Sequence, residues 1–192
     1  MAETRKHVDL YTDGACSGNP GKGGYGGILI YKNKEKEYSG YNANTTNNRM
    51  EITAVIEGLK LLKESVDIDI YSDSAYTVNA FLEGWIDNWQ ANNWRTAGKK
   101  PVQNIELWQE LLSLIAKHNV TWHKVKGHAD NEYNNRCDKL ATGEIAKHLS
   151  DIQWTNITIL LDINWKSFLW LPLSLFSQTI FCVSLSNINY RN

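Results

Sequence analysis

The chain has 192 residues, of which 42% are hydrophobic and 21% are charged, and its formal net charge is −1. This length and composition predict a soluble globular protein with one domain and at most a short appendage. A charge near zero excludes a generally basic nucleic-acid-binding protein, so any such binding must be local. The three cysteines have neither metal-ligand spacing nor the pattern of a disulfide framework, and the N-terminus lacks an apolar signal segment, which together predict a cytoplasmic location.

The N-terminal part of the chain has the alternation typical of strands. Residues 8–12 alternate apolar and polar side chains and predict a strand that ends at Asp13, where a glycine-rich loop over residues 14–21 follows. Two further strands are predicted over residues 23–31 and 36–44. Together the three strands suggest an antiparallel meander.

Helical and strand patterns then alternate along the chain. An apolar stripe at helical spacing begins near Asn48 and comprises Ile52, Val55, Ile56, Leu59 and Leu62. A strand over 66–72 ends at Asp73, and the chain continues with short helices over 74–93, a helix over 104–117, a strand over 120–125, a loop over 126–130 and a helix over 131–149. This order predicts an α/β fold with a mixed five-stranded sheet flanked by helices.

Four carboxylates stand at prominent places in these elements: Asp13, Glu51, Asp73 and Asp138. Each has an ordinary structural explanation. Asp13 suits a turn, Glu51 suits a helix-start capping pair with Asn48 in the first helical turn, Asp73 suits a cap of the next helix, and Asp138 suits a solvated helix face. Four such coincidences together favour a shared function instead.

The chemistry that these carboxylates share is metal binding. If the two strands that end in aspartate are neighbours, Asp13 and Asp73 emerge at the same edge of the sheet, and crowded carboxylates repel unless cations neutralise them. Hard oxygen ligands suit Mg²⁺, and a pair of such ions can activate water and stabilise the leaving oxygen of a phosphodiester. The sequence has no Cys/His zinc pattern and no phosphate-binding P-loop.

Several motifs in fixed order resemble type 1 ribonuclease H over about residues 6–149. They are YTDGACSGNPGKGGYGGIL, TTNNRMEITAVIEGL, YSDSAYTVN, the tryptophan-rich GWIDNWQANNWRTAGKKPVQNIELW, and VKGHADNEYNNRCDKLA. The resemblance implies a ribonuclease-H-like fold with three antiparallel strands followed by two parallel ones. It also implies an endonuclease that cuts the RNA strand of RNA–DNA hybrids with two Mg²⁺ ions, for which Mn²⁺ is a substitute, leaving 3′-hydroxyl and 5′-phosphate ends.

The resemblance also assigns roles residue by residue. By motif matching, the four metal-binding acids are Asp13, Glu51, Asp73 and Asp138, and His128 is the loop histidine that aids product release. The matched substrate contacts are Asn19, Asn47 and Asn48 in the minor groove, Thr46 and Asn104 at a DNA-strand phosphate, and Trp85 and Trp94 in a segment that grips the duplex. The acids that match no catalytic position are Asp9, Asp67, Asp69 and Asp130.

The tryptophan-rich segment departs from the family pattern. Residues 90–93 read Gln-Ala-Asn-Asn where relatives often cluster Lys and Arg, and residues 81–104 hold only three positive and two negative side chains. Residues 81–104, which we call the handle, are therefore predicted to bind the duplex weakly. For most of the tryptophans in this segment, packing between helices is favoured over shaping the handle.

Two other functions remain open from the sequence. A catalytically silent hybrid-binding module would need a missing carboxylate, and none is missing. A DNA-cutting relative of the same fold, such as an integrase or junction resolvase, is disfavoured by Asn47, Asn48 and the handle. No obligate protein partner is evident, and a monomer is expected.

The composition changes after residue 151, which predicts a ribonuclease H domain over 1–151 and an apolar extension over 152–192. Only three of these last 41 residues are charged. The extension is interpreted as a tail with no selected role, with packing onto the domain and a membrane anchor as alternatives; interspersed polar residues count against the anchor.

Overall fold

The structure, a computed structural model, describes residues 5–127 and 131–168, with side chains described for 5–127 and 131–150. The chain divides into two compact units, Met1–Leu149 and Ser150–Asn192. The fold described below is that of the first unit.

The first unit is built on one five-stranded sheet. Its strands are β1 His7–Gly18, β2 Gly21–Tyr31, β3 Lys34–Thr45, β4 Asp67–Ser72 and β5 Asn119–Lys124. The spatial order is β3-β2-β1-β4-β5. β1, β2 and β3 pair antiparallel, whereas β4 pairs parallel with both β1 and β5. This confirms the predicted fold class.

The prediction that the first strand ends at Asp13 is wrong. β1 continues to Gly18 and stays paired with β2, with Asp13 opposite Gly26 and Gly18 opposite Gly21. The turn is thereby reduced to Asn19 and Pro20. The hydrogen-bonded ladder outweighs the local preference of glycine for loops, because strand propensity depends strongly on tertiary context.

The helices follow the predicted order with one difference in length. They are α1 Asn47–Lys60, α2 Ala75–Leu82, α3 Trp85–Ala91, α4 Ile105–Ile115 and α5 Glu132–Phe168. The last helix was predicted to end at Leu149, but it extends to Phe168. Residues 150–168 contain neither glycine nor proline, so no helix-breaking residue interrupts the backbone there.

The core lies between one face of the sheet and helices α1 and α4. Burial alternates along β1, so that Val8 and Leu10 belong to this core while Asp9 and Tyr11 lie on the opposite face. On α1, Ile52 and Val55 are fully buried, and on α4 Trp108 is fully buried. Each fully buried aliphatic side chain contributes roughly 1.5–3 kcal/mol, so this packing holds α1 rigidly against β1.

Candidate active site

Three of the four predicted carboxylates meet at one edge of the sheet. The parallel pairing of β1 with β4 ends at Tyr11 opposite Tyr71, and Asp13 and Asp73 each follow two residues later. Glu51 reaches the same place from α1. One carboxylate oxygen from each of the three acids lies within 4.8 Å of the others.

A close approach of α1 to β1 brings Glu51 to this edge. A Cβ atom at Gly14 would lie 2.3 Å from the Glu51 backbone nitrogen, so only glycine permits the contact. α1 begins with Thr46 as its N-cap, and the Thr46 hydroxyl accepts a hydrogen bond from the Arg49 backbone N–H. The alternative in which Asn48 and Glu51 form a capping pair in the first turn is therefore wrong: Glu51 lies in the second turn, facing the cluster.

Burial and negative neighbours make Asp13 hard to ionise. Its side chain is only 7% exposed. Desolvation, followed by the charge of Asp73, raises the pKa of Asp13 to about 7, although the Gly14 backbone N–H donates a 2.7 Å hydrogen bond to it. The charge of Asp138 raises it further, but among the described residues Asp138 does not join the three acids whose oxygens lie within 4.8 Å of one another.

Glu51 is in a still less favourable position for a negative charge. Desolvation first, and then Asp13 and Asp73, hold the pKa of Glu51 well above its ordinary value. Its Oε1 atom accepts a 3.3 Å hydrogen bond from the Asn47 side-chain amide, whereas its Oε2 atom is buried without a hydrogen-bond partner. A buried, unpartnered carboxylate oxygen beside two other carboxylates is the coordination chemistry of a hard divalent cation.

Asp73 is positioned by a side chain of α5 and by the loop that follows β5. Its Oδ2 atom accepts a 3.2 Å hydrogen bond from the Asn134 side-chain amide on α5. A Cβ atom at Gly127 would lie 2.5 Å from the same oxygen, so the loop after β5 packs directly against it. The cap of α2 is Ser74 rather than Asp73, which leaves the Asp73 carboxylate available to the cluster.

Asn134 is a site residue that the sequence analysis missed. It is 2% exposed, it lies one helical turn before the half-buried Asp138, and its Oδ1 atom is buried without a partner. Its i, i+4 spacing from Asp138 was the available signal, since two residues four apart share a helix face.

Two pairs of predicted substrate contacts also come together. The Asn19 side-chain oxygen accepts a 3.4 Å hydrogen bond from the Asn47 backbone N–H. Thr46 and Asn104 are joined through Arg49, whose guanidinium donates a 3.1 Å hydrogen bond to the Asn104 side-chain oxygen. Arg49, which the sequence analysis did not single out, thus links the start of α1 to the start of α4.

The ribonuclease H family model matches residues 5–146. The chain belongs to the ribonuclease H family. A curated ribonuclease H of Acetivibrio thermocellus is 62% identical over 143 residues, which cover 74% of this chain and 97% of that protein. The ribonuclease H of Caldanaerobacter subterraneus subsp. tengcongensis is 57% identical over 151 residues, covering 79% and 99%.

Solved structures share the ribonuclease H fold. LC9-RNase H1, a type 1 RNase H with the type 2 active-site motif, is 27% identical with a TM-score of 0.68, covering 77% of this chain and 75% of that one. LC11-RNase H1, solved in complex with an RNA/DNA hybrid, is 24% identical with a TM-score of 0.58, covering 74% and 99%, and shows the fold alone. The predicted family resemblance is confirmed.

Two parts of the predicted ribonuclease H site have different outcomes. The predicted site residue His128 lies outside the described residues, as does Asp130, which was predicted to match no catalytic position. Trp85 and Trp94 are half-buried and pack against the core, and Trp85 also donates a 3.1 Å hydrogen bond from its indole nitrogen to Glu83. Residues 90–93 of the handle are exposed.

None of the helices in the described part of this ribonuclease H is both long enough and apolar enough to cross a membrane.

Proposed function

We propose that this ribonuclease H is an endonuclease that hydrolyses the RNA strand of RNA–DNA hybrids, and leaves 3′-hydroxyl and 5′-phosphate ends. The observation that carries the proposal is the cluster of Asp13, Glu51 and Asp73 with a buried, unpartnered oxygen on Glu51. LC11-RNase H1, which shares this fold, was crystallised in complex with an RNA/DNA hybrid. That complex supports the substrate assignment.

The residues present fit two Mg²⁺ ions, with Mn²⁺ as a substitute. Asp13, Glu51 and Asp73 would hold them, and Asp138 would complete the ligand set from α5. When bound, the ions supply an activated water nucleophile and stabilise the leaving oxygen of the phosphodiester. All the proposed donors are carboxylate oxygens, the ligand type that Mg²⁺ prefers.

The chain itself supplies rigidity and orientation at this site. The Gly14 backbone N–H holds the Asp13 carboxylate, and the Asn134 amide holds that of Asp73. Because the negative cluster repels itself in the apoprotein, its geometry depends on these fixed donors until cations arrive.

Substrate recognition is proposed to lie on the side of the cluster where α1 begins. Asn19, Asn47 and Asn48 are proposed to contact the minor groove, where amides can read a 2′-hydroxyl and so distinguish RNA from DNA. Thr46 and Asn104 are proposed to bind a phosphate of the DNA strand, which sets orientation rather than sequence preference.

The remaining assignments rest on the family match. His128 is proposed to aid product release, and Trp85 and Trp94 are proposed to shape the handle. We further propose that the protein acts as a monomer, without an obligate protein partner, in the cytoplasm.

One assay tests the proposal directly. A labelled RNA–DNA hybrid is incubated with the protein with and without Mg²⁺, beside DNA–DNA and RNA–RNA duplexes, and the Asp13→Asn and Asp73→Asn variants are run in parallel. We expect Mg²⁺-dependent cleavage of the hybrid's RNA strand alone, and loss of cleavage with retained hybrid binding in both variants.

Two results of this assay would contradict the proposal. Hybrid binding without cleavage in any divalent metal would indicate a silent binding module. Cleavage of the DNA–DNA duplex in preference to the hybrid would indicate a DNA-cutting nuclease.

A further inference from the structure

A second group of metal-ligand side chains lies on the sheet face opposite α1. His7 and Asp9 belong to β1, and Asp69 lies directly opposite Asp9 on β4. One potential ligand atom from each of the three side chains lies within 4.8 Å of the others. Asp9 and Asp69 matched no catalytic position of the family, so ribonuclease H chemistry leaves this group without a role.

The distances within this group are those of ligands around a common ion. His7 Nε2 lies 3.6 Å from Asp9 Oδ1 and 3.4 Å from Asp69 Oδ2. Both separations exceed the roughly 2.7–3.2 Å of an N–H···O hydrogen bond. Zn²⁺ binds nitrogen and oxygen at about 2.0–2.2 Å, so the edge of its coordination tetrahedron measures about 3.3–3.6 Å.

Further polar side chains lie beside both carboxylates. Asp69 Oδ1, the oxygen that does not face His7, lies 3.4 Å from His123 Nε2 on β5. That nitrogen is buried and has no hydrogen-bond partner. Burial, together with the charges of Asp9 and Asp69, raises the pKa of Tyr71 to about 12, so the phenol stays protonated beside Asp9.

The supporting rings are themselves fixed. Tyr71 stacks on Tyr11 with 4.4 Å between ring centroids, and on the other side it stacks on His123 at 4.6 Å. Polar groups around metal ligands orient those ligands and tune their affinity for the metal. His7, by contrast, is 58% exposed, which leaves an open path for an ion from solvent.

We propose that His7, Asp9 and Asp69 form a second metal site that takes Zn²⁺, with solvent in the fourth position and His123 as a positioning residue. One imidazole with two carboxylates favours Zn²⁺ over Mg²⁺, because imidazole suits zinc and magnesium prefers oxygen ligands. Asp9 precedes Asp13 by four residues, about 13 Å along a strand, so the site is separate from the active-site carboxylates. A bound ion would link β1 to β4 across the sheet.

The test is a Zn²⁺ titration of the full chain, without a histidine tag, against a competing chromophoric chelator. Millimolar Mg²⁺ is present throughout, so that the active-site carboxylates are engaged by another ion. We expect one Zn²⁺ to bind, with affinity falling at least tenfold in His7→Gln and in Asp69→Asn, and less in His123→Gln. The matched control is Asp67→Asn, which removes an acid of β4 directly opposite His7 without removing a proposed ligand, and should lower Zn²⁺ affinity much less than Asp69→Asn.

Two further readouts separate metal binding from folding and from catalysis. In nitrogen-15 spectra of the unmodified protein, Zn²⁺ should shift the His7 Nε2 resonance, and Mg²⁺ should not. Hybrid cleavage in Mg²⁺ should be the same in His7→Gln as in the parent, because the proposed site does not serve the reaction.

Three outcomes would overturn the proposal. They are equal Zn²⁺ affinity in His7→Gln and Asp67→Asn, loss of Zn²⁺ binding in Asp13→Asn with retention in Asp69→Asn, and an unshifted His7 resonance at saturating Zn²⁺. In the first and third cases, the three side chains form only ion pairs between His7 and its two aspartates. In the second case, the zinc occupies the active site.

Discussion

At the scale of single residues, the active site lowers the stability of the folded protein, because it buries acidic side chains beside one another. Asp13 and Glu51 are buried beside each other and beside Asp73, and desolvation is the main cause of the raised pKa of both Asp13 and Glu51. Removing a charge from such a cluster relieves repulsion, so variants that lose catalysis should gain stability.

The pH dependence of Asp13→Asn tests this directly. The pKa of Asp13 is about 7 in the folded protein, against 3.8 ordinarily. Between about pH 4 and pH 7 the folded state therefore keeps a proton that the unfolded state has lost, and the metal-free parent loses stability as the pH rises through this window. The upper bound on that loss is about 4 kcal/mol.

An asparagine at position 13 does not ionise, so the variant does not lose stability in this way as the pH rises. In the presence of a chelator, Asp13→Asn should therefore be more stable than the parent at pH 8, with little difference at pH 4. Urea unfolding at both pH values measures the difference, with Asp67→Asn, a partly exposed acid, as the control. A gain of the same size at both pH values would contradict the raised pKa.

A second residue-scale prediction concerns Asn134, whose amide donates to Asp73. Asn134→Ala should lower the turnover rate about tenfold with little change in hybrid affinity, because it frees a metal ligand without touching the substrate groove. Asn134→Asp should be worse, since it adds a negative charge beside Asp73. Cleavage rates in saturating Mg²⁺ measure both, and an alanine variant with parental turnover would show that Asp73 is positioned by other groups.

At the scale of elements, the site depends on how closely α1 approaches β1. Gly14→Ala would place a Cβ atom 2.3 Å from the Glu51 backbone nitrogen, in a region of packed backbone. We expect a loss of roughly 1–3 kcal/mol in the free energy of unfolding and reduced cleavage, because α1 must move away.

Gly143→Ala on α5 is the matched control for Gly14→Ala. A Cβ atom there meets nothing within 4 Å, so we expect a gain of about 0.5–1 kcal/mol from helix propensity. Thermal and urea unfolding of the two variants give the comparison. Equal effects of the two substitutions would show that the contact between β1 and α1 is looser than described.

The handle offers a prediction about the duplex. Gln90, Ala91 and Asn92 are exposed at the end of α3. Replacing all three with Lys should tighten hybrid binding and steepen its salt dependence, by up to about 0.9 in log–log slope per new phosphate contact, because each contact releases counterions. Binding measured at several salt concentrations tests this.

A charge-matched control lies on α4 and just beyond its end. Lys at the exposed positions Gln109, Ser113 and Ala116 adds the same three charges away from the handle. If both triple variants steepen the salt dependence equally, the gain comes from net charge. If the handle variant matches the parent, the handle does not contact the duplex.

At the scale of the whole molecule, the family match ends at residue 146, and the relatives named above are covered almost completely by about 150 residues. The predicted domain boundary at 151 and the role of the extension remain predictions. A chain that ends at Ser150 should keep full hybrid cleavage and need less detergent, because a largely uncharged segment is removed. The test compares the activity and the detergent dependence of the full chain and the shortened chain. A loss of activity on truncation would contradict the prediction, and so would a full chain that binds membranes beside a shortened chain that stays soluble.

By itself, the sequence determined the kinds of elements, their order and the family. Alternation over residues 8–12 and 66–72 and the helical stripe from Ile52 record which side chains are buried, and burial periodicity is a local property of the chain. The motifs around Asp13, Glu51 and Asp73 are likewise short continuous stretches of the chain, so they can be recognised from the sequence alone.

The tertiary structure alone decided what depends on register and on the approach of distant elements. The continuation of β1 to Gly18 comes from its ladder with β2, and the position of Glu51 beside Asp13 comes from the contact of α1 with Gly14. Asn134 beside Asp73, and His7 beside Asp69, are separated by about sixty residues along the chain. No local period encodes such pairs, because their distance is set by strand pairing and helix packing rather than by spacing in sequence.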